Sequence, residues 1–238
     1  MKFRNTVFWK TYPEYEKIVA NSSMRATVDA ILLWRLIQHF KFKKFLEIGI
    51  YQGLTTGLFL EASGDGTVVG IDPAPKLDLF YKNYAGSQDR FTLIQEKSQN
   101  VDLSGEYDFI LLDSDHYIDY EFMKYDLDQT LPLLNKSGIL AINCSLESSD
   151  PLKLIDELYT LKTDWVPFMR LEQLMLCHHI SSDRSEFLDS VLHNPISKFI
   201  FLYHEKNKHD NMILVCKTLG IFADFTEFFD LALERYDV

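Results

Sequence analysis

Short apolar runs recur along the first 145 positions of the chain, each closed by Gly, Pro, Asp or Asn, with helical spacing between them. Phe45–Ile48, Thr67–Asp72, Phe91–Gln95, Tyr107–Asp113 and Ile139–Cys144 read as strands, apolar almost throughout, as parallel strands covered on both faces should be. Leu54–Ala62, Lys76–Tyr84 and Ile118–Leu134 read as the helices that alternate with them. Ahead of this series, Ser22 and Ser23 offer a cap to a helix from Met24 to Phe40, with Val28, Ile31, Leu32, Trp34, Leu36 and Ile37 as its buried stripe. The alternation predicts an α/β fold, a doubly wound parallel sheet with helices on both faces and ligands outside the carboxyl ends of its strands.

The edges of the series are less regular. Residues 1–23 mix aromatics with charges and read as a lid or docking arm. Trp165–Ile180, within a stretch 164–197 open to reading as a cap, leaves an insertion over the site and a sheet strand as alternatives. Phe199–His204 and Met212–Lys217 flank a polar turn and suit an antiparallel hairpin, and Thr226–Tyr236 reads as a terminal helix. With no repeat or linker, a single domain over 1–238 is expected.

The chemistry concentrates where the first strand turns into a helix, Phe45–Thr56. Gly49 and Gly53 allow steep backbone dihedrals and close approach of a ligand, and the N–H groups of the following helix favour negative charge. A dinucleotide fingerprint is excluded, because GxGxxG would need glycine at Tyr51. Glu47 at the strand end would repel phosphate but could pair with the ammonium of an amino acid. Asp72 closes the second strand near the spacing of about 20 residues at which an acid meets ribose hydroxyls. Ser98, Asp113 and Asn143 close the third, fourth and fifth strands, so all five positions should line one crevice.

Composition narrows the ligand further. A net charge of -11 argues against a nucleic-acid backbone or an anionic membrane and for a small molecule. Cys144, Cys177 and Cys216 are scattered through apolar segments and read as reduced thiols, and no run reaches membrane-spanning length, so a cytoplasmic protein is expected. His178 and His179 are adjacent and so do not share a strand face, and Asp126 and Asp128 read as part of a solvated helix face. The sequence does not fix the oligomeric state and leaves a homodimer open.

EIGIYQGLT, KSQ and LLDSDHY together resemble the class I S-adenosylmethionine (SAM)-dependent methyltransferases of the catechol and caffeoyl-CoA O-methyltransferase type. The resemblance covers the first 145 positions and implies a seven-stranded, Rossmann-like sheet whose last two strands form an antiparallel C-terminal hairpin. It implies that Glu47, Gly49 and Gly53 hold the methionine part of SAM, that Thr55 meets its carboxylate and that Tyr51 lies beside the sulfonium. Asp72 would then hold the ribose, and Ser98 and Gln99 the adenine. Asp113 would border the cofactor, and His116 falls where the family has its base, with Asp113 positioning the imidazole or the acceptor. A divalent metal, Mg or Ca, would be held by Asp113, Asp115 and Asn143. Here the sequence departs from the family, which has Asp-Asn where this chain has Asn143-Cys144, and both a metal-dependent and a metal-free site stay open. The implied reaction is O-methylation of a small-molecule hydroxyl; an N-methyltransferase, a hydroxylase-like enzyme or a non-catalytic SAM-binding protein on the same fold are the alternatives.

Overall fold

The computed structural model of the chain describes residues 5–11, 28–114, 120–143, 165–170 and 174–179. Within them the chain runs α1 (Val28–Phe40), β1 (Lys44–Ile48), α2 (Leu54–Ser63), β2 (Thr67–Ile71), α3 (Asp78–Asn83), β3 (Phe91–Ile94), β4 (Tyr107–Leu112), α4 (Tyr120–Thr130), β5 (Leu134–Asn143), β6 (Trp165–Arg170) and β7 (Leu174–His179). The strands pair in the order β3-β2-β1-β4-β5-β7-β6. The first five in this order are parallel, and β7 runs antiparallel to β5 and β6. The chain order reverses at β1, which has β2 on one side and β4 on the other, and this is where a doubly wound sheet opens a crevice.

Side-chain alternation sends each strand's residues into two apolar layers. Phe45, Phe109, Leu111, Ile139 and Ala141 face the layer shared with α1 and α2, while Leu46, Ile48, Ile110, Leu112, Leu140 and Ile142 face the layer that holds Met123 and Leu127 of α4. The first layer is organised by stacked rings: Phe45 and Phe59 lie 4.9 Å apart at 14°, and Phe59 meets Phe109 at 5.2 Å and 57°. Helix α2 is enclosed, with every residue but Glu61 buried. Glu61 is the anchor of the N-terminal segment, accepting from the backbone N–H of Val7 (2.7 Å) and Phe8 (3.1 Å). Phe8 is fully buried behind the sheet, so the described part of this segment docks on the core.

Of the two readings left open for Trp165–Ile180, the described residues take the second and supply β6 and β7 to the sheet. The register of β6 shifts between Pro167 and Met169, and β6 is the edge of the sheet among the described residues, where a missing N–H is tolerated. Other expectations are corrected. The hairpin expected at 199–217, the helix at 226–236 and positions 180–197 lie outside the described residues. Helix α4 ends at Thr130, and a 3₁₀ turn, Leu131–Leu133, with Pro near its start, leads directly into β5 at Leu134 instead of at Ile139. Asp126 is 2% exposed and not on a solvated face, because Met123, Leu127 and Thr130 put it on the buried stripe of α4. Asp128 is exposed and pairs with Lys124, as a solvated position should. No helix among the described residues is long and apolar enough to cross a membrane.

Candidate functional site

The carboxyl ends of β1 and β4 meet at Gly49. Its φ is +88°, and a Cβ there would lie 2.1 Å from the Asp113 carbonyl oxygen, so only glycine lets these two strand ends close up. The Asp113 N–H donates to the Ile48 carbonyl at 2.8 Å, and the Gly49 N–H to the Ile71 carbonyl at 2.9 Å. Gly53 (φ +73°) starts α2 without a side-chain cap, and a Cβ there would press at 2.9 Å on both Leu77 and Phe80. Between the two glycines Tyr51 is itself left-handed (φ +47°), which costs a non-glycine residue about 1–2 kcal/mol. Its carbonyl accepts from the Lys76 N–H at 2.7 Å, and the Lys76 ammonium sits 5.1 Å from the ring centroid. The ring is 37% exposed at the rim of the crevice.

Asp72 is bound to the same turn. Its Oδ2 accepts from the N–H groups of Ile50 (3.0 Å) and Tyr51 (2.7 Å), and its Oδ1 from that of Ala74 (2.8 Å). Two of the N–H groups of the glycine turn are thus spent on an internal carboxylate.

Glu47 lies beneath the turn, 1% exposed, and its Oε2 accepts from the Thr56 hydroxyl at 2.5 Å. Burial pushes its carboxyl well above the ordinary range; the Thr56 hydrogen bond draws it back, and the charges of Asp113 and Asp72 raise it further. Thr56 is therefore the partner of Glu47, a contact that sequence reading did not single out. Helical phase contains the signal: with Gly53 as N-cap, Thr56 is the third helical residue, and its hydroxyl reaches the strand end. Thr55 is also buried, in the same first turn. Gln52, between Tyr51 and Gly53, is a further buried polar residue that the pattern did not single out.

Ser98 is buried and opens a 3₁₀ turn, Ser98–Asn100, past the end of β3. Gln99 follows it, and its carbonyl accepts from the Tyr125 hydroxyl at 3.4 Å. Asn143, at the end of β5, donates its amide N–H to Oδ1 of Asp113. A carboxylate has no proton to offer, so the amide nitrogen must be the atom that faces it. Asn143 Oδ1 is then buried with no partner among the described residues.

Among the described residues this arrangement does not suit a hard cation: the amide N–H takes up a lone pair of Asp113 that an ion would need, and of the three expected ligands Asp113 is the one described carboxylate. No group of three His, Cys, Asp or Glu that could hold a metal occurs among the described residues. His116 and Asp115, expected as base and metal ligand, lie outside the described residues, as does Cys144. His178 and His179 take successive register positions in β7, opposite Ile139 and Trp165 respectively, and belong to the sheet rather than to a lid.

Glu47, Gly49, Tyr51, Gly53, Thr55, Asp72, Ser98, Gln99, Asp113 and Asn143 thus all fall at the carboxyl edge of the sheet, on the ends of β1 to β5 or in the loops and helix start that follow. Three of the ionisable groups there are acids, and two of them, Asp113 and Asp72, raise the pKa of the third, Glu47.

Residues 46–143 match the family described as a methyltransferase domain. No curated protein matches the chain by sequence. The fold is shared with solved structures at low identity. The methyltransferase PaMTH1 of Podospora anserina, bound to S-adenosylhomocysteine (SAH), is 18% identical over 74% of this chain and 91% of its own, with a TM-score of 0.57. An O-methyltransferase of Bacillus cereus in complex with SAH is 16% identical over 72% and 88%, with a TM-score of 0.54. The O-methyltransferase TomG of Streptomyces achromogenes, involved in tomaymycin synthesis and in complex with SAM, is 12% identical over 75% and 92%, with a TM-score of 0.54.

Proposed function

We infer that this chain is a class I SAM-dependent methyltransferase, on the match of residues 46–143 to a methyltransferase domain and the Rossmann-like sheet around them. We propose that its acceptor is a hydroxyl of a small molecule. The observation that carries the cofactor reading is electrostatic: Glu47 is buried under a glycine turn, and the charges that shift its pKa, Asp113 and Asp72, are both negative. A ligand bearing an ammonium and a sulfonium brings positive charge to these acids. Solved relatives in complex with SAH or SAM support the same reading.

When bound, SAM supplies an electrophilic methyl on an excellent leaving group, and the protein's task is alignment. Glu47, with Thr56 fixing its oxygen, receives the ammonium; Gly49 keeps the floor open between β1 and β4; Ser98 and Gln99 border the adenine. Asp113 is held by Asn143 at the end of β4, beside the point where the acceptor enters. His116 takes the proton of the acceptor hydroxyl, and an imidazole with a pKa near 6.5 needs no large shift to do so at neutral pH. The reaction needs no divalent metal, because Asn143 supplies an amide where a metal site would need a carboxylate. The net charge of -11 favours a small acceptor over a nucleic acid. We place the enzyme in the cytoplasm.

Calorimetry with SAH tests the cofactor. Binding is expected, with at least tenfold weaker binding for the analogue lacking the α-amino group; absence of SAH binding overturns the assignment. Radiolabelled SAM with a panel of hydroxylated small molecules tests the acceptor, and turnover is expected to survive EDTA. His116→Ala should lower kcat by ~10²–10⁴-fold and remove an ascending pH limb near 6 to 7, with SAH affinity unchanged.

A further inference from the structure

Strand β5 sets an asparagine against an aspartate of the β4 segment at both of its ends. At the amino edge the Asn135 amide donates to Oδ1 of Asp108, and at the carboxyl edge the Asn143 amide donates to Oδ1 of Asp113. The bond is the same and the surroundings differ. Asp108 also accepts from the Lys43 and Lys44 N–H groups on its other oxygen, so its pair is a structural clip. Asp113 belongs to a group of three acids, since it and Asp72 both act on the charge of Glu47. Position 143 is fixed from both sides: it follows Ile142, in register with Leu112 of β4, and itself pairs with Leu174 of β7.

Acids gathered at one edge attract a cation, and hard divalent cations are held by carboxylate and amide oxygens alike. Asn143 Oδ1 is such an oxygen, buried and without a hydrogen-bond partner among the described residues. The amide nevertheless presents its N–H, not this oxygen, to Asp113, and an ion placed between the two side chains would meet that N–H. We propose that Asn143 is a built-in stand-in for a divalent cation, and that position 143 decides whether this edge of the sheet takes one. Its N–H gives Asp113 the positive partner that an ion would otherwise give. Exchanging the amide nitrogen for an oxygen, as in Asn143→Asp, hardly changes the volume of the side chain. It sets a carboxylate oxygen opposite Oδ1 of Asp113 and puts charge on the oxygen that lacks a partner, and two facing carboxylates are an arrangement that a cation relieves.

This inference does not rest on the methyltransferase reading, because cation binding is measured without SAM or SAH. Manganese(II) chloride alone, titrated into the full chain by calorimetry, is the probe. Asn135→Asp is the control, since it makes the same exchange at the amino edge, away from the three acids. Wild type and Asn135→Asp are expected to show no saturable site at concentrations up to about 1 mM, and Asn143→Asp to show one that is at least about tenfold tighter than that limit. Manganese should also raise the melting temperature of Asn143→Asp and leave that of wild type where it was. If Asn143→Asp folds only when manganese is present, that dependence is the same gain read another way. A saturable site of this strength in wild type overturns the proposal, as does an Asn143→Asp chain, folded or not, that gains nothing from manganese. Equal gains in the two variants overturn it as well, because the effect would then belong to any asparagine–aspartate pair and not to this edge.

Discussion

Asp72 and Asp108 are the same device at opposite ends of the sheet. Asp108, at the amino edge, accepts on Oδ2 from the Lys43 (2.8 Å) and Lys44 (3.1 Å) N–H groups and on Oδ1 from the Asn135 amide (2.6 Å), which fixes how the chain enters β1 and β5. Asp72, at the carboxyl edge, does the same for Ile50, Tyr51 and Ala74. What differs is the company. Around Asp108 are cations with internal partners: Lys43 reaches Asp65 and the Ser63 carbonyl, and Arg90 donates to the Leu60 and Gly66 carbonyls. At the carboxyl edge Asp72 and Asp113 both raise the pKa of the buried Glu47, and a cation there, Lys76, lies over the Tyr51 ring. A carboxylate on backbone amides is thus a way to shape a chain. A buried acid beside two further acids is what sets the carboxyl edge apart.

The sharpest break of this comparison is at the glycines. Gly49→Ala should cost more than ~4 kcal/mol in urea unfolding, since strand ends must separate and φ is positive. Gly64→Ala, also at positive φ (+75°) but with open space around it, should cost only about 1–2 kcal/mol. Equal costs would mean that the contact between β1 and β4 is not under pressure.

Next in size is the pH dependence that Glu47 imposes. Its folded pKa is raised, so the stability it contributes is full below the ordinary carboxylate range and is lost as pH rises through the raised value. Glu61 is raised in the same direction, chiefly by burial, and contributes the same slope in both proteins. Glu47→Gln keeps an oxygen for Thr56 and removes the charge. The variant should therefore gain stability relative to wild type as pH is raised from 5 to 8, and saturating SAH should narrow the gap by stabilising wild type. A constant gap across this range would show that Glu47 is not forced to titrate.

Asp108→Ala should destabilise by about 1–3 kcal/mol, because Lys43, Lys44 and Asn135 donors lose an acceptor, and should leave SAH affinity unchanged. A loss of SAH affinity here would erase the distinction between the two edges. Smallest of all, Asp65→Asn should leave the melting temperature unmoved: Asp65 is fully exposed, and a solvated ion pair with Lys43 contributes little.

How legible was this in the sequence? The five parallel strands were, because strands covered on both faces are apolar at most positions, and β1 or β4 needs no phase to be recognised. Gly49 and Asp72 stood out in the sequence for the same reason, since each breaks an apolar run at its carboxyl end. Where phase mattered, reading failed. Thr56 was not singled out, because only the starting residue of α2 decides that its hydroxyl reaches Glu47. Asp126 looked solvated by type although its spacing from Met123 and Thr130 placed it inside. The internal role of Asp72 could not be read at all, because a backbone N–H has no letter in the sequence.

The contact between Gly49 and Asp113 also bears on the order in which the chain becomes competent. A ribosome adding about 5–20 residues per second needs roughly 3–13 s to pass from one to the other. Asp72 emerges well before Asp113, so a nascent chain can tie its turn while the neighbouring strand is still unmade. The far wall of the crevice arrives only with β4, whose first residue beyond the strand hydrogen-bonds back to Ile48. Synthesis itself thereby sets a delay between shaping the cradle and enclosing it.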